Sequence, residues 1–467
     1  MTIATSEDSP ADVGFSTKFV LPILIGPMLN PLNSTMIAVA LVPIATALQI
    51  SAAKSIWLVA ILYLVAAVSQ PVLGTLADVV GPKKVYVAGL AITAFSALLP
   101  LIFHSFVAAM LARVLIGIGT SSAYPSAMKL IRERSTELGR EPSAQLLSAL
   151  SISSLVTSAV GPAVGGVLVL AFGWEAIFAV NLPLAGATMI FALLWLPPDN
   201  RNPDRAQRIP LLQAIDVVGI ILFSSSIAML LLLLLTSDWS LWALGVASFI
   251  GFIVFTAWEL SRTRPFIDVR LLATNRPLAR TYLRLLLTFT ILYLFVNAFS
   301  QWLQTPYGLN ASQAGLAQVP IATLAGIVSF FIARNKRVYI PLLATAAAPI
   351  LTGLVFAFIG TGTPLLLLVS TAMALGISQG FGSVANQTAL YYQAPSDKIG
   401  NAAGLSRTSI YLGAILSSSL IGRVFGTVPT DHSMNIVGWT IACLAVLNFV
   451  LTLADSALIE ADTDREA

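Results

Sequence analysis

The sequence predicts an all-α integral membrane protein, and three observations lead to that prediction. Of its 467 residues, 57% are hydrophobic and only 10% are charged, and the mean hydropathy is +0.88. Soluble domains carry about 25% charged residues, so a soluble fold of this composition could not cover its surface. Long apolar runs recur along the chain, and basic residues cluster in every second break between them.

Fourteen apolar runs are long enough to cross a bilayer as helices, which takes about 20 residues. The runs at 314–333 and 400–422 are the most polar of the set. In chain order the predicted spans are 19–48, 55–77, 85–103, 105–128, 143–170, 176–196, 213–235, 241–260, 281–303, 314–333, 338–359, 364–391, 400–422 and 435–455.

The basic residues indicate how these spans are oriented. Of the 25 lysines and arginines, all except Lys54, Arg113, Arg407 and Arg423 lie on one side of the predicted bilayer. Basic loops mark the cytoplasmic side, so we expect both termini there. A missed span would move every later loop to the opposite side and remove this asymmetry. The isoelectric point near 9.2 therefore reflects loop charge and not a nucleic-acid-binding surface.

The rare reactive residues exclude further classes of protein. The single cysteine, Cys443, lies in an apolar stretch and can form no disulfide within the chain. The two histidines, His104 and His432, lie in separate short loops, so we expect no metal site and no cofactor. An enzyme would need converging His, Asp or Glu side chains near the membrane interface. The sequence lacks such a group, so we do not expect an enzyme.

A short repeat indicates two related halves. Residues 83–87, KKVYV, follow the second span, and residues 336–340, KRVYI, follow the tenth. We interpret this as two six-helix bundles with two extra helices between them, and transporters place their site between such halves. A chance match of five residues is the alternative. The predicted organisation is a tail at 1–18, a bundle at 19–196, a linker with two extra spans at 197–276, a second bundle at 277–455 and a tail at 456–467.

The loop after the second span resembles a known signature. Residues 74–84 read GTLADVVGPKK. They resemble the signature loop of the major facilitator superfamily, G-x-L-a-D-r-x-G-r-k, although Val79 stands where an arginine is usual and Pro82 where a basic residue is common. The matching residues are Gly74, Leu76, Asp78, Gly81 and Lys83.

This loop has the chemistry of a gate. We expect the small Gly74 to let two helices approach closely. We expect Asp78 to face the positively polarised N-terminus of a helix in the other half. With Gly81 and Lys83 these residues form the predicted gating set of the loop. The alternative is that Asp78 and the lysines form a solvated turn.

Two further stretches resemble motifs of the same superfamily. Residues 111–119, LARVLIGIG, are similar to its fourth-helix motif, and Arg113 is the residue that carries the likeness. An arginine inside a span is costly unless paired or hydrated, so we expect Arg113 to face a central cavity. The alternative is a structural role on neighbouring backbone carbonyls. The fifth span resembles the motif that accompanies export in this family, at Gly161, Pro162, Gly165 and Gly166.

The two extra helices resemble the fourteen-helix drug:proton antiporter branch, with one departure. That branch typically has an aspartate in its first helix, and here Asn33 stands in its place. None of the 21 carboxylates lies deep in a predicted span. The deep charges are expected to be Arg113 and, if it points into the bundle rather than to the interface, Arg407. Arginine does not titrate usefully, so we expect weak coupling to a pH gradient and a cavity that favours neutral or anionic cargo.

Polar side chains at helical spacing suggest the walls of that cavity. An amide can bind neutral polar groups through its donors and acceptors, and the alternative for any single amide is that it joins helices. The predicted cavity residues are Asn30, Asn33, Arg113, Tyr124, Asn297, Gln301, Asn386 and Arg407.

The resemblance implies a secondary active transporter that works by alternating access. We expect a multi-pass, monomeric protein of the cell membrane that exports small organic molecules. The alternative is an uptake carrier or facilitator of a neutral or anionic metabolite without classical proton coupling. The expected partners are a small molecule, the lipid bilayer and, where coupling exists, protons.

Overall fold

The computed structural model describes residues 15–139, 144–199, 216–236, 241–262, 265–332, 337–395 and 399–463. These residues form helices joined by short connections, and they include no strand. Up to residue 195 the helices are α1 (Thr17–Ala47), α2 (Ala52–Ser55), α3 (Trp57–Val80), α4 (Pro82–Ser96), α5 (Leu98–Ile102), α6 (Phe106–Ser121), α7 (Ala123–Leu138), α8 (Ala144–Phe172), α9 (Ala176–Ala179) and α10 (Asn181–Trp195).

The second part of the chain continues the same pattern of long helices and short connections. Its helices are α11 (Val217–Thr236), α12 (Trp242–Ser261), α13 (Val269–Thr274), α14 (Arg276–Gln304), α15 (Ala311–Leu316), α16 (Val319–Ile332), α17 (Tyr339–Phe356), α18 (Leu365–Gln393), α19 (Ile399–Phe425), α20 (Asp431–Leu453) and α21 (Ser456–Thr463).

The all-α membrane fold predicted from the sequence is confirmed. Among the described residues, twelve helical segments are long and apolar enough to cross a membrane. Two shorter apolar helices, Val156–Phe172 and Val217–Leu233, accompany them. Each predicted span overlaps one of these fourteen segments, including the polar runs at 314–333 and 400–422. The number of actual crossings and the side of the termini stay predictions.

Several helices extend beyond the apolar runs that predicted them. Helix α7 continues to Leu138, well past residue 128, and ends at Gly139, whose φ of 61° is left-handed. Helix α14 begins at Arg276 instead of residue 281, where the Asn275 side chain accepts a hydrogen bond from the Leu278 amide at 3.1 Å. Hydropathy locates the apolar part of a helix, whereas capping residues determine where it ends.

The helices pack as two groups. In the first group, residues 17–195, α1 packs on α8 and α10, α3 on α6, and α4 on α6 and α10. In the second group, residues 276–453, α14 packs on α19 and α20, and α18 packs on α16 and α17. The groups meet where α3 contacts α19, α1 contacts α14, and α8 contacts α15 and α16. Helices α11 and α12 pack on each other, and α11 also contacts α19.

Short connections make the ends of successive spans alternate between two faces of the molecule. We call the face where α1 begins the proximal face, and the face where it ends the distal face. The signature loop around Gly81 lies at the proximal face, and α2 lies at the distal face. The basic residues Arg201, Arg205, Arg208, Arg264, Arg334 and Lys336, which helped to predict the orientation, lie outside the described residues, as do Arg140, Lys398 and Arg465.

Candidate functional site

Arg113 lies at the centre of the first group and joins three helices. It projects from α6 and is only 1% exposed. Its Nε donates to the Leu58 carbonyl of α3 at 2.8 Å, and one terminal nitrogen donates to the Asn33 carbonyl of α1 at 2.9 Å. The second terminal nitrogen, Nη2, has no hydrogen-bond partner among the described residues. The guanidinium is therefore held by backbone carbonyls, and part of its donor capacity is unused.

Asn33, which replaces the usual aspartate, forms a closed amide pair with Asn181. Asn33 Nδ2 donates to Asn181 Oδ1 at 2.6 Å, and Asn181 Nδ2 donates to Asn33 Oδ1 at 2.9 Å. Both side chains are buried. The pair joins α1 to α10, and the Arg113 bond to the Asn33 carbonyl adds α6 to the same network. The side chain of Asn33 is thus satisfied by the protein itself.

Three tyrosines meet where the two groups touch. The Tyr63 ring of α3 lies 4.9 Å from the Tyr293 ring of α14 and 6.1 Å from the Tyr411 ring of α19, centroid to centroid. The Tyr411 hydroxyl donates to Gln70 Oε1 across the groups at 2.7 Å. We call Ser34, Tyr63, Arg113, Tyr293 and Tyr411 the central cluster; Tyr63 lies beside Ser34, Tyr293 and Arg113.

Arg407 also connects the two groups. Its guanidinium carbon lies 5.2 Å from the centroid of the Tyr124 ring, a cation–π contact between α19 and α7. Arg407 is exposed, whereas Arg113 is buried. Tyr293 and Tyr411 both lie within electrostatic reach of Arg407. Arg113 therefore lies near Tyr63, and Arg407 lies near Tyr293 and Tyr411.

The other predicted cavity amides bond locally. Asn30 Nδ2 donates to Thr120 Oγ1 at 3.0 Å, which joins α1 to α6. In the second group each amide donates to a carbonyl one turn back in its own helix: Asn297 to Tyr293, Gln301 to Asn297 and Asn386 to Gly382. Of these, Asn297 and Asn386 keep an unpartnered Oδ1. Asn297, Gln301 and Asn386 are buried in the bundle and Asn30 is half-buried. Their role in binding stays a prediction.

The signature loop is organised by a residue that the sequence did not point to, Asp199. Its two carboxylate oxygens accept the backbone amides of Lys83, at 2.8 Å, and Lys84, at 3.1 Å. The Lys83 ammonium donates in return to the carbonyls of Leu193 and Leu196 at the end of α10. Gly81 has a φ of 120°, and a Cβ there would overlap the Asp199 carboxylate. The loop thus docks the start of α4 onto the end of α10.

Two expectations for this loop differ from the structure. Among the described residues, the Asp78 carboxylate forms an ion pair with Lys129 of its own group, and no contact with a helix N-terminus of the other half accompanies it. Its side chain is 67% exposed, so it binds the nearest cation across the proximal face. A Cβ at Gly74 would lie 3.6 Å from Pro125, an ordinary contact, so close helix packing does not require glycine there in this conformation.

The fifth-helix motif packs in two directions. Cβ atoms at Gly161 and Gly165 would overlap Thr35 and Met36 of α1. Gly166 faces the second group, and a Cβ there would lie 2.5 Å from the Ala311 carbonyl. From the opposite side, a Cβ at Gly315 would overlap the carbonyl of Pro162. The two groups therefore meet backbone to backbone at the distal face, along what we call the distal seam.

Backbone hydrogen bonds close the distal face as well. The amide of Ala52 donates to the Thr427 carbonyl at 3.0 Å, and the amide of Ala53 donates to the Gly426 carbonyl at 2.9 Å. These bonds join the first turn of α2 to the end of α19. Near the proximal face, the side of α3 from Gln70 to Leu76 is partly exposed, as is Arg407. The described residues thus show a molecule that is closed at its distal face.

The buried charges differ from the expected inventory. Arg284 in α14 is 1% exposed and donates to Asp455 at 2.5 Å, with Arg280 on the other carboxylate oxygen at 2.9 Å. Glu259, at the end of α12, is also buried and accepts the Ile267 amide at 3.0 Å. Sequence position placed these residues in loops or at span ends. In the structure these residues are buried because neighbouring segments cover them.

Comparison with known proteins identifies the family. Residues 23–418 match the sequence profile of the Major Facilitator Superfamily. The chain belongs to the major facilitator superfamily. The MFS-type transporter YwoD of Bacillus subtilis is 33% identical over 95% of this chain and 97% of its own length. The tetracenomycin C resistance and export protein of Streptomyces glaucescens is 28% identical over 88% of this chain and 76% of its own length.

Solved structures show the same fold. A crystal structure of the peptide transporter POT in complex with sulfate superposes with a TM-score of 0.67, covers 93% of both chains and is 15% identical. As a member of the major facilitator superfamily, this chain is a multi-pass membrane transporter of the cell membrane rather than an enzyme. The family resemblance stated from the signature loop, Arg113 and the fifth-helix motif is confirmed.

Sequence reasoning missed several residues of the site. Tyr63 and Tyr293 lie in apolar runs, where a tyrosine does not stand out from the hydrophobic residues beside it. Asn181 and Asp199 lie at the ends of the sixth span, where polar residues are expected anyway. Gly315 gives no signal because its role depends on the carbonyl of Pro162, which is distant in sequence.

Proposed function

We propose that this transporter exports small organic molecules by alternating access, with the central cluster as its binding site. The observation that supports the proposal is the position of that cluster. It lies where α3, α14 and α19 meet, between two helix groups that are joined at the distal face. A site between repeated halves suits a carrier whose halves rock against each other. The relative named for tetracenomycin C export supports an outward direction.

The conformation supports a specific part of that cycle. With the distal seam closed, solute would enter the central cluster from the proximal face. Release at the distal face would then require the backbone contact between Gly166 and Ala311 to separate, together with the hydrogen bonds from Ala52 and Ala53. The orientation that we propose places the proximal face in the cytoplasm, as the basic loops predict.

We propose further that transport depends weakly on a pH gradient. Asn33 is an amide, and its side chain is satisfied by Asn181. In the described part of the chain, Arg113 contacts carbonyl oxygens and lies near Tyr63, and no carboxylate acts on it. A proton-coupled carrier normally needs a buried group that gains and loses a proton, and the central cluster offers none of the usual type.

A second candidate function rests on the same residues. An arginine with no carboxylate among its described contacts suits uptake or facilitated passage of a neutral or anionic metabolite without proton coupling. The two candidates differ in the direction of transport. We also propose a monomeric working unit and bundle boundaries at 19–196 and 277–455, which size-exclusion chromatography with light scattering and limited proteolysis would test.

The test uses the purified protein in proteoliposomes, with and without an imposed pH gradient. We expect the transport rate of a small aromatic compound to change little when the pH gradient is collapsed. Asn33→Asp should introduce gradient dependence, because it places a titratable carboxyl group in the bundle, where Asn181 Nδ2 already donates to the oxygen of residue 33. Asn30→Asp is the matched control, since Asn30 lies one turn away and bonds to Thr120 instead. Strong, gradient-dependent efflux of cationic drugs by the wild type would overturn the coupling proposal.

A further inference from the structure

Three buried polar atoms of the central cluster make no hydrogen bond of standard geometry with the described residues. They are Ser34 Oγ, the Tyr63 hydroxyl and Arg113 Nη2. Their residues are 5%, 1% and 1% exposed. The Tyr63 hydroxyl lies within loose hydrogen-bonding reach of Ser34 and Tyr293 and beside Arg113, so the three atoms belong to one place in the bundle. A buried polar group without a partner is costly, and three such groups together indicate a site that is completed by a bound molecule.

The unpartnered atoms share one chemical property: each can donate a hydrogen. The arginine nitrogen donates only, and the two hydroxyls can rotate to donate. The nearby amides cannot compete, because Asn33 and Asn181 satisfy each other. Arg113 has no carboxylate among its contacts in the described residues. The group that satisfies all three donors is therefore an acceptor with several lone pairs and a negative charge.

The surroundings of the donors are aromatic. The rings of Tyr293 and Tyr411 lie within 4.9 Å and 6.1 Å of the Tyr63 ring, and Phe289 lies 6.0 Å from Tyr293. Arg407 lies within electrostatic reach of Tyr293 and Tyr411. Offset or edge-to-face contacts of this kind favour an aromatic ring in the ligand. A small inorganic anion would use the donors but leave the rings unused.

We propose that the central cluster binds aromatic carboxylates, with the carboxylate on Ser34, Tyr63 and Arg113 and the ring among the tyrosines. This inference rests on the proposed transport function and assigns its substrate class. A carboxylate offers two oxygens and about four lone-pair positions, enough for all three donors. A lipophilic cation is disfavoured, because it would meet Arg113 and Arg407 without a carboxylate partner.

The first test compares ligands that differ only in charge. The probes are 2-naphthoate, 2-naphthalenemethanol and 2-naphthylmethylammonium, with acetate and chloride as anions that lack the ring. Binding to the purified wild type is measured by calorimetry. We expect 2-naphthoate to bind about tenfold more tightly than the alcohol, and the ammonium compound to bind least. Equal affinity for the three naphthalenes overturns the proposal, as does tighter binding of acetate or chloride than of 2-naphthoate.

The second test removes the unpartnered hydroxyls. Tyr63→Phe and Ser34→Ala break no hydrogen bond of standard geometry among the described residues, so the free protein should keep most of its thermal stability. We expect each variant to lower 2-naphthoate affinity about tenfold and to leave 2-naphthalenemethanol unaffected. Ser126→Ala is the matched control: it also removes a buried hydroxyl that makes no standard hydrogen bond, and it lies about 20 Å beyond Arg113 along the predicted span 105–128. Unchanged 2-naphthoate affinity in both variants overturns the proposal.

Different results would overturn the transport proposal and the substrate-class proposal. If proteoliposomes carry 2-naphthalenemethanol at least as well as 2-naphthoate, the carboxylate proposal is overturned and the transport proposal stands. If 2-naphthoate binds with the expected Tyr63→Phe effect but no compound moves across the membrane, the transport proposal is overturned and the binding site stands.

Discussion

At the scale of single residues, Arg113 does two things at once. Its Nε and one terminal nitrogen hold carbonyls of α3 and α1, while Nη2 has no hydrogen-bond partner among the described residues and is the nitrogen that we propose binds a ligand. A planar, multi-donor group is needed to do both, and lysine carries only one nitrogen. The structural and the cavity roles that the sequence left as alternatives are therefore compatible in one side chain.

We predict that Arg113→Lys lowers stability by about 1–3 kcal/mol, because at least one buried carbonyl loses its donor. Transport should fall with it. The measurements are thermal unfolding in detergent and flux in proteoliposomes. Lys129→Arg, a reciprocal change at an ion pair on the proximal surface, is the control and should change stability little. Wild-type stability and flux in Arg113→Lys would show that a point charge is sufficient at this position.

At the scale of elements, Asp199 caps α4 from the end of another helix. Its carboxylate accepts two amides of the first turn, where the helix dipole favours negative charge. We predict that Asp199→Ala destabilises the protein by about 1 kcal/mol, the usual cost of losing a cap. Asp199→Asn should cost less, because one oxygen remains. Thermal unfolding measures both, and equal losses for the two variants would contradict capping as the cause.

A second prediction at this scale concerns the bond between α2 and α19. Proline is tolerated in the first turn of a helix, and Ser51 before it is already extended, with ψ of 159°. Ala52→Pro therefore keeps α2 but removes the amide that bonds to Thr427. We expect the distal face to open more often. Leu365→Pro, at the start of α18 on the same face, is the control and should leave the conformational balance unchanged.

The readout is the labelling of a cysteine at the distal seam. Ser312→Cys in a Cys443→Ser background places one thiol next to Gly166. A membrane-impermeant maleimide should label it faster in Ala52→Pro than in the parent. Equal labelling rates would show that this backbone contact does not hold the distal face closed.

At the scale of the whole molecule, the distal seam determines which conformation is stable. Carbonyls of one group lie where a Cβ of the other would be, at Gly166 and at Gly315. Backbone cannot retreat as a flexible side chain can, so a methyl at either position must separate the groups. Overpacking of this kind costs about 1–3 kcal/mol, enough to shift a two-state balance about tenfold.

We predict that Gly315→Ala and Gly166→Ala both increase Ser312→Cys labelling about tenfold and slow transport. Gly74→Ala is the matched control, because its Cβ fits at 3.6 Å from Pro125. Labelling and flux of that variant should stay near wild type. An effect of Gly74→Ala as large as that of Gly315→Ala would mean that glycine flexibility, and not the seam, sets the conformation.

The sequence by itself determined the class of the molecule and much of its helix content. Apolar runs predicted every described long helix, because the hydrophobic length needed to cross a bilayer is a local property of the chain. Arg113 could be identified as special for the same reason, since a charge inside an apolar run is costly wherever the neighbouring helices lie. The signature loop and the fifth-helix motif gave the family.

The tertiary structure decided which groups meet. Asn33 pairs with Asn181, 148 residues away, so a position that sequence reasoning assigned to an open cavity is closed by an amide. The Asp199 carboxylate fills the space that a Cβ at Gly81 would occupy, and the Pro162 carbonyl fills the corresponding space at Gly315. The unpartnered donors of Ser34, Tyr63 and Arg113 share one site only because α1, α3 and α6 pack there. Such pairings depend on contacts between segments far apart in the chain, and the hydropathy of a single segment cannot predict them.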